Sequence, residues 1–204
     1  ALILFTVSDT PESKGLPSVQ ELSGEQVTRT DKKPTKELQK MVFRHPGVWV
    51  IAISSAFLYI TKFAVDGWGV LFLQKERGLS LGDANIVLAC STAFSIVGTI
   101  LAGWLSDKVF KGSRVKPAIL AGVTCAASLF FFLFVGGEFV MNIFYVSLFA
   151  LSMGVLYCVV AGLMAVDIVP RKATGAALGI VGIFSYVATG LQEITSGYLI
   201  QYNS

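Results

Sequence analysis

The stretch FLYITKFAVDGWGVLFL, residues 57–73, carries two charged side chains in the middle of an apolar run. Lys62 and Asp66 lie four residues apart, and most of their neighbours in this run are hydrophobic. The whole chain of 204 residues is 54% hydrophobic and 14% charged, with a mean hydropathy of +0.70. Soluble domains contain about 25% charged residues. The composition therefore predicts a membrane protein.

Five apolar stretches have the length that a membrane-spanning helix needs, which is roughly 20 residues. We predict spans at about 47–73, 84–106, 117–136, 139–168 and 173–202. Residues 1–5 are typical of the end of a preceding transmembrane helix. The polar residues 6–46, punctuated by Pro, Gly and Ser, are typical of a flexible cytoplasmic linker between two bundles. The predicted fold is an all-α integral membrane protein in which residues 47–204 form one bundle.

The basic residues predict the orientation, because Lys and Arg near helix ends remain on the cytoplasmic side. Thirteen of the 16 basic residues lie in residues 1–46, 107–116 and 169–172. The opposite connections hold only Lys75 and Arg77. We therefore expect the three lysine-rich segments to be cytoplasmic.

Several function classes are disfavoured by what the sequence lacks. The net charge is only +3, and no basic stripe alternates with aromatic residues, so a nucleic-acid partner is not expected. The three cysteines have no paired spacing, and His45 is the only histidine, which disfavours a metal site. No hydrolase, zinc-protease or nucleotide-binding motif occurs. The sequence predicts neither an enzyme nor a cofactor.

The first span has a polar face at helical spacing. Its members are Ser55, Tyr59, Lys62, Asp66 and Gly69. An ionisable group at mid-membrane costs roughly 2.5–3.5 kcal/mol, so such groups face a bundle interior or an aqueous cavity. We predict that Lys62 and Asp66 pair along the helix and lie in a substrate cavity. The alternative is a self-neutralised pair with an architectural role only.

The fifth span carries small residues at similar spacing. Its glycines at positions 175, 179, 182, 190 and 197 predict a seam of close packing against another helix. Glu193 falls on the same side, deep in the span, where two interpretations remain open. It is either a cavity residue or the acceptor of a structural hydrogen bond.

One cytoplasmic connection contains a motif, GWLSDKVFKGSR at residues 103–114. It follows the pattern G-x-x-x-D-[RK]-x-x-x-G-x-[RK], which resembles the loop signature of the major facilitator superfamily. Its defining residues are Gly103, Asp107, Lys108, Gly112 and Arg114. A carboxylate at a helix end and basic residues beyond it can form a charge clamp to a neighbouring helix. Loss of such a clamp would bias one conformational state.

Three stretches together resemble one branch of that superfamily, the organophosphate:phosphate antiporter family with its sugar-phosphate sensors. YITKFAVDGWGVLFLQ, GWLSDKVFKGSR and PRKATGAALGIVGIFSYVATGLQEITSGYLI are similar to its helices seven, eight and eleven. The resemblance runs over nearly the whole chain. It implies a carboxy-terminal half whose partner is an amino-terminal bundle.

The resemblance also implies a function. It implies alternating-access exchange of a sugar phosphate or related organophosphate for inorganic phosphate, with Lys62 at the place of the family's phosphate-binding basic residue. The expected substrate-binding set is Tyr59, Lys62, Asp66, Tyr157 and Glu193. Family members have an acidic residue directly before the Trp, whereas this chain has Gly67 there. Two alternatives are a membrane sensor for a sugar phosphate and a facilitator for an unrelated solute.

Overall fold

The protein is described by a computed structural model that covers residues 35–202 together with Gly15 and Pro17. These residues form helices and no strand, and five of the helices are long and apolar enough to cross a membrane. The prediction of an all-α membrane protein with five spans is confirmed. The α-helices are α1 (Thr35–Arg44), α2 (Pro46–Arg77), α3 (Leu81–Trp104), α4 (Val115–Phe130), α5 (Phe139–Leu156) and α6 (Thr174–Tyr202).

Three of the spans continue beyond their α-helix as a π-helix. The π-helical segments are Leu105–Val109 after α3, Phe131–Val135 after α4 and Tyr157–Met164 after α5. A short turn of α-helix, Ala165–Asp167, completes the fourth span, and a 3₁₀ turn, Arg171–Ala173, leads into α6. The predicted end of a preceding helix, residues 1–5, and most of the predicted linker, residues 6–46, lie outside the described residues.

The boundary between the first two spans follows from local sequence. Helix α2 starts with Pro46, whose fixed φ and missing N–H suit the first helical position. It ends at Arg77 and is capped by Gly78, which adopts a left-handed φ of 64° and donates its N–H to the carbonyl of Leu73. Two residues later, Ser80 accepts a hydrogen bond from the Asp83 N–H and thereby caps α3. The chain therefore reverses direction within three residues.

Helix α1 occupies the end of the segment that was expected to be a flexible tether. Leu38 and Val42, one turn apart, are fully buried against the first turns of α2 and α6, while Lys40 and Arg44 are exposed. Flexibility is thus the wrong expectation for residues 35–44, because two apolar side chains on one face attach this helix to the bundle.

The helices pack pairwise, with α2 against α6, α3 against α5, and α4 against α5. The glycines of α6, predicted to form a packing seam, make no close contact among the described residues. A Cβ added at Gly175, Gly179, Gly182, Gly190 or Gly197 would have no neighbour within 4 Å. Helix α6 instead buries Ala177, Ile180, Val181, Ser185 and Thr189. Ser55 of α2 and Ser185 join across this contact by a 2.8 Å hydrogen bond.

Arg77 has a structural reason to lie on the side that is poor in basic residues. Its Nη2 donates to the carbonyl oxygens of Phe132 and Leu133, at 2.9 and 3.1 Å. These carbonyls belong to the end of the third span, where a cation interacts favourably with the helix dipole. A Cβ at Gly136 would lie 2.0 Å from Arg77 Nη1, so Gly136 leaves the space that the guanidinium fills.

Candidate functional site

Lys62 and Asp66 form an ion pair at the centre of the first span. Lys62 lies 16 residues after Pro46 and 15 before Arg77, and its Nζ donates to the Asp66 carboxylate. The Lys62 side chain is 12% exposed and that of Asp66 is 42% exposed. The lysine is thus largely enclosed, whereas the carboxylate that binds it has an open side. A ligand can approach this pair from the side of Asp66.

Three tyrosine rings from three helices lie together one turn before Lys62. The ring of Tyr59, one turn before Lys62, lies 4.9 Å from that of Tyr157 and 5.6 Å from that of Tyr186. The Tyr157 hydroxyl donates to the carbonyl of Leu58 at 3.4 Å. The structure therefore brings the expected residues Tyr59 and Tyr157 together. Tyr186, which is exposed, was not among the predicted site residues. Its position on the same side of α6 as Glu193 could have indicated that it belongs to the site.

Glu193 of α6 lies against α2 at Gly67. Its Oε1 is 3.1 Å from the position that a Cβ on Gly67 would occupy. Gly67 directly follows Asp66, so the carboxylate of Glu193 lies close to α2 at the level of the pair. The structure records no hydrogen bond or ion pair from Glu193 to another described residue. Glu193 was interpreted either as a cavity residue or as the acceptor of a structural hydrogen bond. No donor for such a bond is found in the described part of the chain.

Two buried polar atoms near this site also lack a partner among the described residues. They are Nε1 of Trp68, directly after Gly67, and Oε1 of Gln192, directly before Glu193. Sequence reasoning did not assign either residue to the site. Within the described residues, no group of three or more His, Cys, Asp or Glu side chains could hold a metal ion.

Arg114 connects the ends of the second and fourth spans. Its Nη1 lies 2.9 Å from Asp107 Oδ1, and its Nε lies 3.1 Å from Asp167 Oδ2 at the end of the fourth span. The hydrogen bond to Asp167 is the main cause that raises the pKa of Arg114, so the guanidinium remains charged. Sequence reasoning missed Asp167, because it lies 53 residues from Arg114 and outside the motif.

The other motif residues have different positions. Gly112 adopts a φ of 84°, which favours glycine, and donates its N–H to the carbonyl of Ser106 at 2.8 Å. This turn directs Arg114 back toward Asp107. Lys108 is exposed, and a Cβ added at Gly103 would meet nothing within 4 Å. The backbone conformation therefore explains the glycine at position 112. The surroundings of position 103 give no structural reason for a glycine there.

The sequence pattern of the Major Facilitator Superfamily matches residues 1–192. The chain belongs to the Major Facilitator Superfamily. Membership agrees with the five spans, with the charged pair at mid-membrane and with the loop motif at the end of the second span. The chain is therefore part of a multi-pass integral membrane protein.

Individual relatives come from the branch that the sequence resembles. The chain is 33% identical over 194 residues to the glycerol-3-phosphate transporter of Bacillus subtilis. This alignment covers 91% of this chain and 43% of the relative. It is 34% identical over 188 residues to the hexose-6-phosphate:phosphate antiporter of Escherichia coli, covering 88% and 40% respectively. It is 27% identical over 206 residues to the membrane sensor protein UhpC of Escherichia coli, covering 93% and 44%.

These matches confirm the resemblance to organophosphate:phosphate antiporters and their sensors. The chain spans less than half of the length of each of these relatives. The superfamily signal and the relatives thus concern one half of a longer architecture.

Proposed function

We propose that this chain is the carboxy-terminal half of a secondary transporter that exchanges a sugar phosphate or related organophosphate for inorganic phosphate by alternating access. An amino-terminal bundle of the same protein completes the carrier, in a bacterial inner membrane with the linker on the cytoplasmic side. The carrier moves its substrate without converting it chemically. Two bundles that rock about a central site are the general means of such exchange.

One observation carries this proposal: the enclosed Lys62 at the midpoint of α2 has a single, partly open carboxylate partner. A cation at this depth is retained when it serves a pathway. Lys binds phosphate as a point charge, without the bidentate geometry of Arg. An incoming phosphate can therefore replace Asp66 as the partner of Lys62. Tyr59 and Tyr157 supply aromatic walls on the cytoplasmic side of this position.

The experiment is phosphate binding and exchange by the full-length transporter that contains this chain. Lys62→Ala should abolish phosphate-dependent binding in calorimetry, and Lys62→Arg should retain part of it. Lys75→Ala, an exposed lysine near the end of the same helix, is the matched control and should bind as the parent does. Equal phosphate affinity in Lys62→Ala and the parent protein would show that the pair is only architectural.

A sensor for a sugar phosphate is the second candidate, because the relative UhpC is a membrane sensor protein. A sensor and a carrier can share the same binding site and differ only in the step after binding. Proteoliposomes separate them, since a carrier exchanges internal labelled phosphate for external substrate. Binding without exchange, together with ligand-dependent signalling to a partner protein, would favour the sensor. Transport that phosphate does not inhibit would instead indicate a facilitator for an unrelated solute.

A further inference from the structure

The carboxylate of Glu193 lies against bare backbone in the second half of α2. The three atoms nearest to a Cβ built on Gly67 all belong to this carboxylate, at 3.1, 3.8 and 3.8 Å. Backbone N–H groups in the middle of a helix are already bonded within that helix. The contact therefore offers the carboxylate neither a cation nor a hydrogen-bond donor.

No positive charge of the described spans balances Glu193 at this depth. Away from the helix ends, the charged side chains of the five described spans are Lys62, Asp66 and Glu193. Asp66 already holds Lys62. An ionised carboxylate without a partner is costly at this depth, and a proton is the smallest cation that can neutralise it.

The other elements that pack against α6 bring no charge to the level of Glu193. Helix α1, the turn Arg171–Ala173 and the end of the fourth span, Ala165–Asp167, pack near the first turns of α6, far along the helix from Glu193. The charged residues of these three elements are Lys36, Glu37, Lys40, Arg44, Asp167, Arg171 and Lys172. The π-helical segment Tyr157–Met164 and the rest of the spans that α6 contacts contribute tyrosines and Cys158, which are neutral at physiological pH.

Binding of a phosphate increases the negative charge at the level of Glu193. In the proposed function, the phosphate replaces Asp66 as the partner of Lys62. Asp66 then becomes a second carboxylate without a cation, and it directly precedes the residue against which Glu193 lies. Negative groups that share a site favour uptake of a proton by one of them. Substrate binding and proton binding are therefore linked, and each strengthens the other.

Glu193 is better suited than Asp66 to hold this proton. Asp66 remains one helical turn from Lys62, and its side chain is 42% exposed, so the lysine and water both stabilise its negative charge. Glu193 is less exposed than Asp66 and has no cation or donor in the part of the chain that the structure describes.

We infer that Glu193 is a proton-binding site, and that the protein takes up one proton at this carboxylate when it binds a phosphorylated substrate. The proton comes from water in the open cavity and forms an O–H bond with a carboxylate oxygen. It returns to water from the same oxygen when the substrate is released on the other side of the membrane. A proton thus accompanies the substrate. This inference rests on the proposed function, because phosphate at Lys62 is what drives the uptake.

Calorimetry of the full-length transporter counts these protons. Glycerol 3-phosphate is titrated at pH 7.5 in buffers of different ionisation enthalpy, and the heats give the number of protons taken up per bound substrate. A phosphate monoester has its second pKa at about 6, so the free substrate is almost entirely a dianion at this pH. We expect close to one proton for the parent protein and none for Glu193→Gln. Glu193→Asp, which keeps the acid, should retain the uptake.

The pH dependence of the affinity is the second measurement. Because the protonated protein binds the substrate more tightly, the parent's affinity should fall as the pH rises, by up to about tenfold for each pH unit above 7.5. Glu193→Gln carries a permanently neutral amide, so its affinity should not change with pH and should exceed that of the parent at pH 8.5. Glu76→Gln, which removes an exposed acid near the end of α2, is the matched control and should show the parent's proton uptake and pH dependence.

Three results would overturn the inference while leaving the proposed function in place. The first is substrate binding by the parent protein without proton uptake. The second is equal uptake in the parent and in Glu193→Gln, which would assign the proton to Asp66 or to the substrate. The third is an equal loss of affinity at every pH in Glu193→Gln, which would assign Glu193 to an ion pair with the amino-terminal bundle. Absence of any binding of glycerol 3-phosphate and inorganic phosphate by the parent would overturn the proposed function, and this inference with it.

Discussion

The Cα of Gly98 in α3 packs against the carbonyl oxygen of Leu151 in α5, so closely that a Cβ added at Gly98 would lie 2.1 Å from that oxygen. The contact is reciprocal, because a Cβ at Gly154 would lie 2.2 Å from the carbonyl oxygen of Ser95. Small residues allow two helix backbones to approach in lipid, where dispersion contacts replace the hydrophobic effect as the driving force. These two glycines therefore set the distance between the second and fourth spans.

Gly98→Ala should destabilise the bundle, since a methyl group against backbone atoms can be accommodated only if the helices separate. Overpacking of this kind costs roughly 1–3 kcal/mol. Thermal unfolding of the detergent-solubilised protein should show a lower midpoint. Gly175→Ala, where an added Cβ meets nothing within 4 Å, is the matched control and should unfold as the parent does. Equal midpoints for both variants would contradict the close approach.

The pairs of Arg114 should affect transport more than stability. The Asp107 and Asp167 side chains are 66% and 49% exposed, and exposed ion pairs contribute about 0–1 kcal/mol each. We propose that the pairs hold the cytoplasmic ends of the second and fourth spans together in one conformational state. Asp107→Asn and Asp167→Asn should each slow phosphate exchange severalfold, and Arg114→Gln at least as much, because it removes both pairs. Exchange in proteoliposomes measures this, with expression and membrane insertion near normal.

The matched control for the clamp is Lys108→Gln, which changes an exposed basic residue of the same motif. It should leave the exchange rate close to that of the parent. Parent-like exchange in Arg114→Gln would reduce the motif to a signal for membrane orientation.

Asp66→Asn should separate binding from transport. Without its carboxylate partner, Lys62 is left as an uncompensated charge in an enclosed place, and a bound phosphate relieves that cost. We expect phosphate to bind at least as tightly as to the parent, but exchange to be slower, because the empty carrier can no longer return in a neutral form. Calorimetry and exchange assays together check this. Glu76→Gln, an exposed acid on the same helix, should alter neither, and weaker phosphate binding in Asp66→Asn would refute competition for Lys62.

Membrane orientation can be tested with single cysteines in a background from which Cys90, Cys125 and Cys158 have been removed. Lys116→Cys should be shielded from an impermeant thiol reagent in intact cells, whereas Lys75→Cys should react. Both lysines are exposed helical residues, so neither change strains the backbone. Gly78, in the same connection as Lys75, is a less suitable position for the reporter cysteine, because its φ of 64° favours glycine. The reverse labelling pattern would invert the assigned topology.

The number of spans and the charged pair could be predicted from the sequence, because both depend on local properties of the chain. Apolar length alone predicts the five spans, since a helix must satisfy its own backbone in lipid. The Lys62 and Asp66 pair was equally accessible, because residues four apart on a helix are neighbours whatever the rest of the chain does.

Only the tertiary structure decided which helix faces meet. It placed the Gly98 contact between α3 and α5, joined Arg114 to Asp167, and put Glu193 against Gly67. The glycines of α6, predicted to form a packing seam, have no close neighbour within the described part of the chain. The physical reason is the solvent: in a bilayer the lipid-facing and protein-facing sides of a helix are both apolar, so hydrophobic periodicity does not tell them apart. Contacts between spans then depend on backbone shape and a few polar atoms, which become neighbours only when the bundle forms.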